Sequence, residues 1–258
     1  MLVDSHCHLD FPEFAEDFEQ IMSRAAEANV GLMLTICTHL SRFPRVLAVA
    51  ERFDNVYCSV GIHPHEAGEE TEVTAEQLIE LAKHPKVVGF GETGLDYFYE
   101  HSPREAQKKS FRAHIEAARI AQLPIIIHTR DADEDTAAIL EEEMEKGTFP
   151  GLVHCFSSGR ALGEKAVELG LYLSLSGILT FKKSEDLRAI AADMPLEKLL
   201  VETDSPFLAP MPHRGKRCEP AFVAQTAAVL ADLKGMSPAA LADVTTDNFF
   251  SLFTKVPR

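Results

Sequence analysis

Near the start of the chain, in the segment DSHCHLD, His6 and His8 flank a single cysteine. Residues two apart in an extended backbone project to the same side, so both imidazoles can grip one borderline metal ion. Glu92, His128, His154 and Asp204 stand farther along, at the ends of short apolar runs. Histidines and carboxylates are costly to bury without partners. A helix cap, a salt bridge or a carbonyl-bonded core histidine would explain any one of them, but explains the whole set poorly. The six groups overfill one tetrahedral zinc site. Two neighbouring cations account for the excess, with Glu92 able to bridge them. Such a centre lowers the pKa of a bound water and turns it into a nucleophile, which points to hydrolysis.

Other residues are candidates for contacting a substrate or for packing. The segment GIHPH supplies His63 and His65, with His63 nearer its strand. Arg130, Lys182, Lys183, Arg214, Lys216 and Arg217 concentrate after later strands and are able to receive phosphate oxygens or simply face solvent. Cys7 and Cys155 invite a nucleophile reading, but strand alternation turns each away from its neighbouring histidines, which favours packing. Asp4 either orients an imidazole or satisfies nearby backbone donors. Thr203 and Ser205 flank Asp204 and either orient its carboxylate or help cap a following turn. Tyr97, Phe98 and Tyr99 either line a pocket or pack a loop.

These residues need a scaffold that brings distant strand ends together. Eight short apolar runs, ending at LVDSHCH, GLMLTIC, VYCSVGIH, VVGFGETG, PIIIHTR, GLVHCFS, LYLSLSG and KLLVETDSP, have the length of buried strands. Between them lie helix-period segments at about 14–29, 41–53, 74–83, 104–121, 133–146, 159–169 and 184–192, with 219–234 and 238–252 after the last strand. Thr74, Asp133 and Ser184 fall near helix starts, and Pro220 and Pro238 suit first turns. Buried strands alternating with helices imply a parallel sheet. An open doubly wound sheet accommodates part of this pattern, but eight successive units favour closure into a (β/α)8 TIM barrel, one domain over residues 1–258. The polar groups then share the end where barrel active sites are built. No glycine-rich dinucleotide fingerprint is present.

Composition narrows the partners. With 258 residues and 46% hydrophobic content, the chain can bury a core without disulfides. Acidic residues outnumber basic ones by 40 to 25, a formal charge of −15, which disfavours nonspecific adhesion to nucleic acid or anionic membrane. An anionic substrate stays compatible, because divalent cations reverse the field of a small pocket. The five cysteines show no CxxC spacing, so a reduced cytoplasmic protein is expected. The opening lacks the pattern of a secretory signal, and no apolar stretch approaches membrane-spanning length. With no heptad repeat and no open strand edge, a monomer without an obligatory partner is expected.

In the segments DSHCHLD, GIHPH, GETGLDY, IIIHTR, VHCFS and ETDSPFLAP, taken in this order, the chain resembles the TatD family of metal-dependent deoxyribonucleases within the amidohydrolase superfamily. The resemblance spans nearly the whole chain. It implies a (β/α)8 barrel with two divalent ions: His6 and His8 on one, with Asp204 directed to that cation and the attacking water; Glu92 shared; His128 and His154 on the other. His63 would face the phosphate, so Asp204, Glu92 and His63 are the catalytic candidates. The implied reaction is cleavage of DNA or oligonucleotide phosphodiesters by metal-activated water, removing nucleotides from 3′ ends. Magnesium or manganese suits phosphoryl transfer, and zinc suits the histidine-rich shell. Many relatives carry asparagine at the position of Cys218 and glycine at that of Ser158, differences that bear on a loop hydrogen bond and a phosphate-facing turn. The alternatives are a related hydrolase of a small phosphoester or cyclic amide, and a metal-binding interaction protein without catalysis.

Overall fold

A computed structural model describes residues 1–71 and 73–258. Eight parallel strands pair in chain order: β1 (Leu2–Cys7), β2 (Val30–Thr35), β3 (Val56–Val60), β4 (Val87–Asp96), β5 (Ile125–Arg130), β6 (Gly151–Val153), β7 (Tyr172–Leu175) and β8 (Leu199–Val201). Seven helices connect them: α1 (Phe18–Glu27), α2 (Phe43–Arg52), α3 (Ala75–Leu81), α4 (Arg104–Ala121), α5 (Asp133–Glu145), α6 (Arg160–Glu168) and α7 (Glu185–Asp193). Two more, α8 (Val223–Leu233) and α9 (Pro238–Leu252), follow β8. Just past β8 the sheet meets its own beginning. Asp204 N–H donates to the His6 carbonyl at 2.9 Å, His8 N–H donates to the Ser205 carbonyl at 2.8 Å, and Cys7 bridges Ser205 in parallel. This is the (β/α)8 barrel expected from eight βα units. Among the described residues, no helix is long and apolar enough to cross a membrane.

Strand alternation divides the core in two. Leu34, Val88, Ile126, Leu152 and Leu200 join Phe249 of α9 and Phe253 just after it in one cluster. Their neighbours along the chain, Met33, Val87, Ile127, Val153 and Val201, pack with the surrounding helices. Each fully buried aliphatic or aromatic side chain stabilises the fold by about 1.5–3 kcal/mol. The same alternation puts His128 on the side of Ile126, His154 on that of Leu152, and Glu202 on that of Leu200. The interior is therefore apolar toward α9 and polar at its opposite end.

Side-chain caps start two of the described α-helices, α3 and α9. Thr74 and Gln77 form a reciprocal capping box on α3, and Ser237 accepts the Ala240 N–H at 3.2 Å to cap α9. Asp133 does otherwise: its carboxylate accepts the Gly159 N–H at 2.9 Å, tying the start of α5 to that of α6. Ser184 precedes α7 without a side-chain cap bond. The first and eighth helical segments both begin as 3-10 turns, Pro12–Phe14 and Pro220–Phe222, separate from α1 and leading into α8.

The ends of four strands differ from expectation. β4 runs on through Asp96, leaving Glu92 within the strand, and β5 continues two residues past His128. β6 stops one residue before His154, and β8 three before Asp204. Gly94 makes the longer pairing possible: at φ +140° it lies so close to His128 that any Cβ would collide with the His128 carbonyl. Beyond β6, Cys155 takes a left-handed φ of +43°, which breaks the alternation that turned it from the cavity.

Candidate active site

The polar ends of β1, β4, β5, β6 and β8 converge on a cavity of about 680 Å³. Glu92 lies at the centre of the cluster. One carboxylate oxygen is 2.7 Å from His154 Nε2, 2.9 Å from His128 Nδ1 and 3.4 Å from His63 Nε2. The other is 3.3 Å from His6 Nε2 and 3.9 Å from His8 Nε2. Asp204 Oδ1 approaches the same pair, 3.5 Å from His6 Nε2 and 3.3 Å from His8 Nε2. All six residues expected as metal ligands come together, and His63 joins them. Asp204 sits at φ +56°, a left-handed turn that aspartate tolerates better than most residues.

Three overlapping groups have the spacing of metal ligands: His6, His8 and Glu92; His63, Glu92 and His128; and His6, His154 and Glu202. Buried polar atoms nearly always have hydrogen-bond partners. Here both ring nitrogens of His6, Nδ1 of His8 and one oxygen of Glu202 are buried and unbonded. His6 also stacks on His154, with ring centroids 3.9 Å apart. Unbonded ring nitrogens and a carboxylate oxygen, in groups whose ligand atoms lie within 4.8 Å of one another, fit divalent cations, which would satisfy them.

The charge pattern fits as well. Burial pushes the Glu92 carboxyl up, but His154, His63 and His6 outweigh it and hold the group well below the usual carboxylate range. Burial would lower His154, but Glu92 and Glu202 raise it well above an ordinary imidazole. Burial takes His63 down to about 4, so its ring is neutral at neutral pH. His63 Nδ1 accepts the His65 N–H at 3.1 Å, which leaves the proton on Nε2.

Residues assigned no role from the sequence hold these groups in place. Glu202 is fully buried; it accepts the Cys155 N–H at 2.8 Å and lies 3.2 Å from His154 Nδ1. Asp96 accepts the Phe98 and Tyr99 N–H groups and lies 2.9 Å from His65 Nε2 and 3.2 Å from His128 Nε2. Carboxylates behind metal-binding imidazoles fix ring orientation and raise basicity. Glu202 sits two residues before Asp204 and Asp96 four after Glu92, inside motifs already noted, so the motif itself was the available signal. Arg42 lines the cavity too. Asp4 accepts from Thr203, at 2.9 Å from its N–H and 2.6 Å from its hydroxyl, rather than orienting an imidazole.

Replacing Glu202 with glutamine keeps an acceptor for Cys155 but removes the charge behind His154. The expected result is a loss of about 10–100-fold in manganese or zinc affinity by calorimetric titration, with the fold retained. Unchanged affinity would reduce Glu202 to a bond for the Cys155 backbone.

His114 supports the site from α4. Its Nε2 accepts the Ile62 N–H at 3.1 Å beside His63, and Nδ1–H donates to the Ser110 carbonyl at 2.7 Å. Burial lowers its pKa to about 4, beneath an unfolded value near 6.5. Its contribution is therefore complete above about pH 6.5 and is lost as pH falls toward about 4, up to about 3 kcal/mol in all. In chelator, the melting temperature of the wild type should fall more steeply across that window than that of His114→Gln. Parallel profiles would remove His114 from the acid response.

Other candidates take different places. Cys7 is buried, its thiol donating to the Leu34 carbonyl, as packing required. Cys155 lines the cavity with Sγ 3.1 Å from Ser176 Oγ. Tyr97 donates to Asp135 at 2.6 Å, whereas Tyr99 reaches the cavity. Arg217 is taken by Asp17, two nitrogens each 2.7 Å from a carboxylate oxygen. Cys218 is buried, and its N–H donates to the Pro206 carbonyl at 3.0 Å. Ser158 lines a groove beside the cavity.

Comparison with known proteins gives this arrangement its family. The model of the TatD related DNase family matches residues 3–254. The chain belongs to that family. TatD proteins are metal-dependent hydrolases of the amidohydrolase superfamily, and the clustered ligands are candidate di-metal sites. The chain is 44% identical over 255 residues to the uncharacterized metal-dependent hydrolase YcfH of Escherichia coli, covering 98% of this chain and 95% of that one. It is 38% identical over 253 residues to the uncharacterized metal-dependent hydrolase YabD of Bacillus subtilis, covering 98% and 99%. The crystal structure of the TatD homologue YjjV from Escherichia coli superposes with a TM-score of 0.90 at 34% identity, covering 99% of this chain and 98% of that one.

Proposed function

We propose that this TatD protein hydrolyses phosphodiester bonds in DNA or oligonucleotides, releasing nucleotides from 3′ ends with two divalent cations. The division of Glu92 between two sets of imidazoles carries the reading: one oxygen faces His128, His154 and His63, the other His6 and His8. A shared carboxylate of this kind suits a pair of ions. His6, His8 and Asp204 would hold one, His128 and His154 the other, and Glu92 both. When bound, such ions polarise phosphoryl oxygens and acidify water.

The chain's own residues supply the remaining work. Asp204 accepts the proton of the attacking water. Its side chain is 14% exposed, against 4% for Glu92 and 0% for Glu202, so it is the carboxylate of the cluster most open to the cavity. His63, neutral and protonated on Nε2, donates to a nonbridging phosphate oxygen. Arg42 and Arg130 line the cavity and bind the remaining charge. Phe11, Phe207 and Leu208 form an apolar wall on the β1 and β8 side that excludes bulk water. Ordered water protonates the leaving alcohol.

A cavity rich in imidazole and arginine favours a phosphate ester over a neutral cyclic amide. The test follows product release from end-labelled single-stranded and duplex oligonucleotides, using metal-stripped protein reloaded separately with magnesium, manganese or zinc. Stepwise mononucleotide release that disappears in Asp204→Ala is the expected result. A folded, metal-loaded protein that leaves every oligonucleotide intact would turn the search to small phosphoesters and cyclic amides.

A further inference from the structure

Although the chain carries a charge of −15, its cations without carboxylate or carbonyl partners all lie at one end of the barrel. Of 25 lysines and arginines, 19 pair with carboxylates or bond backbone carbonyls. The other six, Arg42, Arg130, Lys182, Lys183, Arg214 and Lys216, have no such partner among the described residues, and all are exposed. Each lies at or beyond the C-terminal end of a strand, on the face that carries the metal ligands. Random placement of unpaired cations would scatter them over every helix.

Four of the six form a patch on two joined loops. The Met211 N–H donates to Thr180 Oγ1 at 2.8 Å, and Gly177 packs so closely on the Leu208 carbonyl that a Cβ would not fit. The loop after β7, with Lys182 and Lys183, therefore lies against the loop after β8, with Arg214 and Lys216. Arg214 stacks 4.4 Å from the centre of the Phe181 ring, which draws the two pairs together. The loop after β8 also presents Phe207 at 48% exposure and Met211 at 38%, and Phe207 extends into the cavity. The groove beyond β5 sets Asp131, Asp133, Glu134 and Asp135 against Arg104 and Arg130, a net acidic lining that suits a polyanion less well.

We infer that the joined β7 and β8 loops form a track for the part of a single-stranded nucleic acid beyond the scissile bond. Lys182, Lys183, Arg214 and Lys216 meet successive phosphates, and Phe207 offers a ring to a base. An exposed aromatic beside unpaired cations is the arrangement that holds single strands without reading their sequence. This rests on the phosphodiesterase reading above, but it is tested by binding rather than turnover.

The experiment measures anisotropy of a labelled single strand of about 12 nucleotides, long enough to reach past one subsite, titrated with whole protein across a salt series, with and without manganese. Changing Lys182, Lys183, Arg214 and Lys216 together to glutamine should weaken binding at least about tenfold at about 0.1 M salt and reduce the salt slope by up to about 3, from about 0.7 per phosphate on single strands. A control changing Lys83, Lys146, Lys165 and Arg258 to glutamine removes the same charge from side chains engaged with carboxylates. It should keep wild-type binding. Phe207→Ala should weaken the oligonucleotide but leave inorganic polyphosphate unchanged. Equal losses in both quadruple variants, or no binding by the wild type, would overturn the track. Binding that needs the four cations in a protein that cleaves nothing would keep the track and overturn the phosphodiesterase reading.

Discussion

Replacing Glu92 with glutamine will lower turnover by about a thousandfold or more, equivalent to about 4 kcal/mol of transition-state stabilisation, and will also deplete bound metal. Both effects follow from one side chain. Glu92 is almost fully buried, with His154, His128 and His63 around one oxygen and His6 and His8 around the other. Glutamine keeps the shape but supplies a single neutral oxygen and turns an amide N–H₂ toward one set of imidazoles. Metal analysis after dialysis should show at least one site lost from about two, while the far-ultraviolet circular dichroism stays that of the wild type. A Glu92→Gln protein that keeps two ions per chain and full turnover would end the bridging role.

Replacing Asp204 with asparagine will have a different signature, a loss of about 10²–10⁴ in kcat with most of the metal retained. Asparagine tolerates the left-handed backbone at this position, so the joint between β8 and β1 should survive. Burial raises the Asp204 carboxyl, but the hydrogen bond to His8 and the charge of His6 outweigh it, keeping the group ionised and ready to accept a proton at neutral pH. Its removal should abolish the acidic limb of the kcat profile, whereas a group that only held the metal would move affinity more than pH dependence. An unchanged acidic limb would transfer the proton-accepting role elsewhere.

These two residues were legible because buried charge is costly. A chain places carboxylates and imidazoles at the ends of apolar strands only where something repays the burial, so His6, His8, Glu92, His128, His154 and Asp204 stood out without any knowledge of contacts. The βα alternation was legible for a similar reason, since strand and helix impose different periods on apolar residues. Exact strand limits were less so. β4 continues to Asp96 because Gly94 lets it approach His128 closely, a contact that depends on a partner strand more than thirty residues away.

Supporting residues were harder to see than ligands. Glu202 and Asp96 lie inside the motifs, but a carboxylate behind a histidine reads from sequence like any other acid. Arg42 read like any other cation, and Lys182 and Arg214 stood out only as loop cations, with no sign of which would lack a partner.

The sequence by itself determined the eight βα units, the inward alternation of His128 and His154, and the set of groups that face one another around Glu92, because these follow from local periodicity and the cost of buried charge. Only the tertiary structure decided which charges remain free. Arg217 is neutralised by Asp17 and Arg24 by Glu219, both about 200 positions away, while Arg42, Arg130, Lys182, Lys183, Arg214 and Lys216 keep no carboxylate or carbonyl partner among the described residues. Ion pairing is a property of distances in space, and the barrel sets those distances when it brings β8 back beside β1.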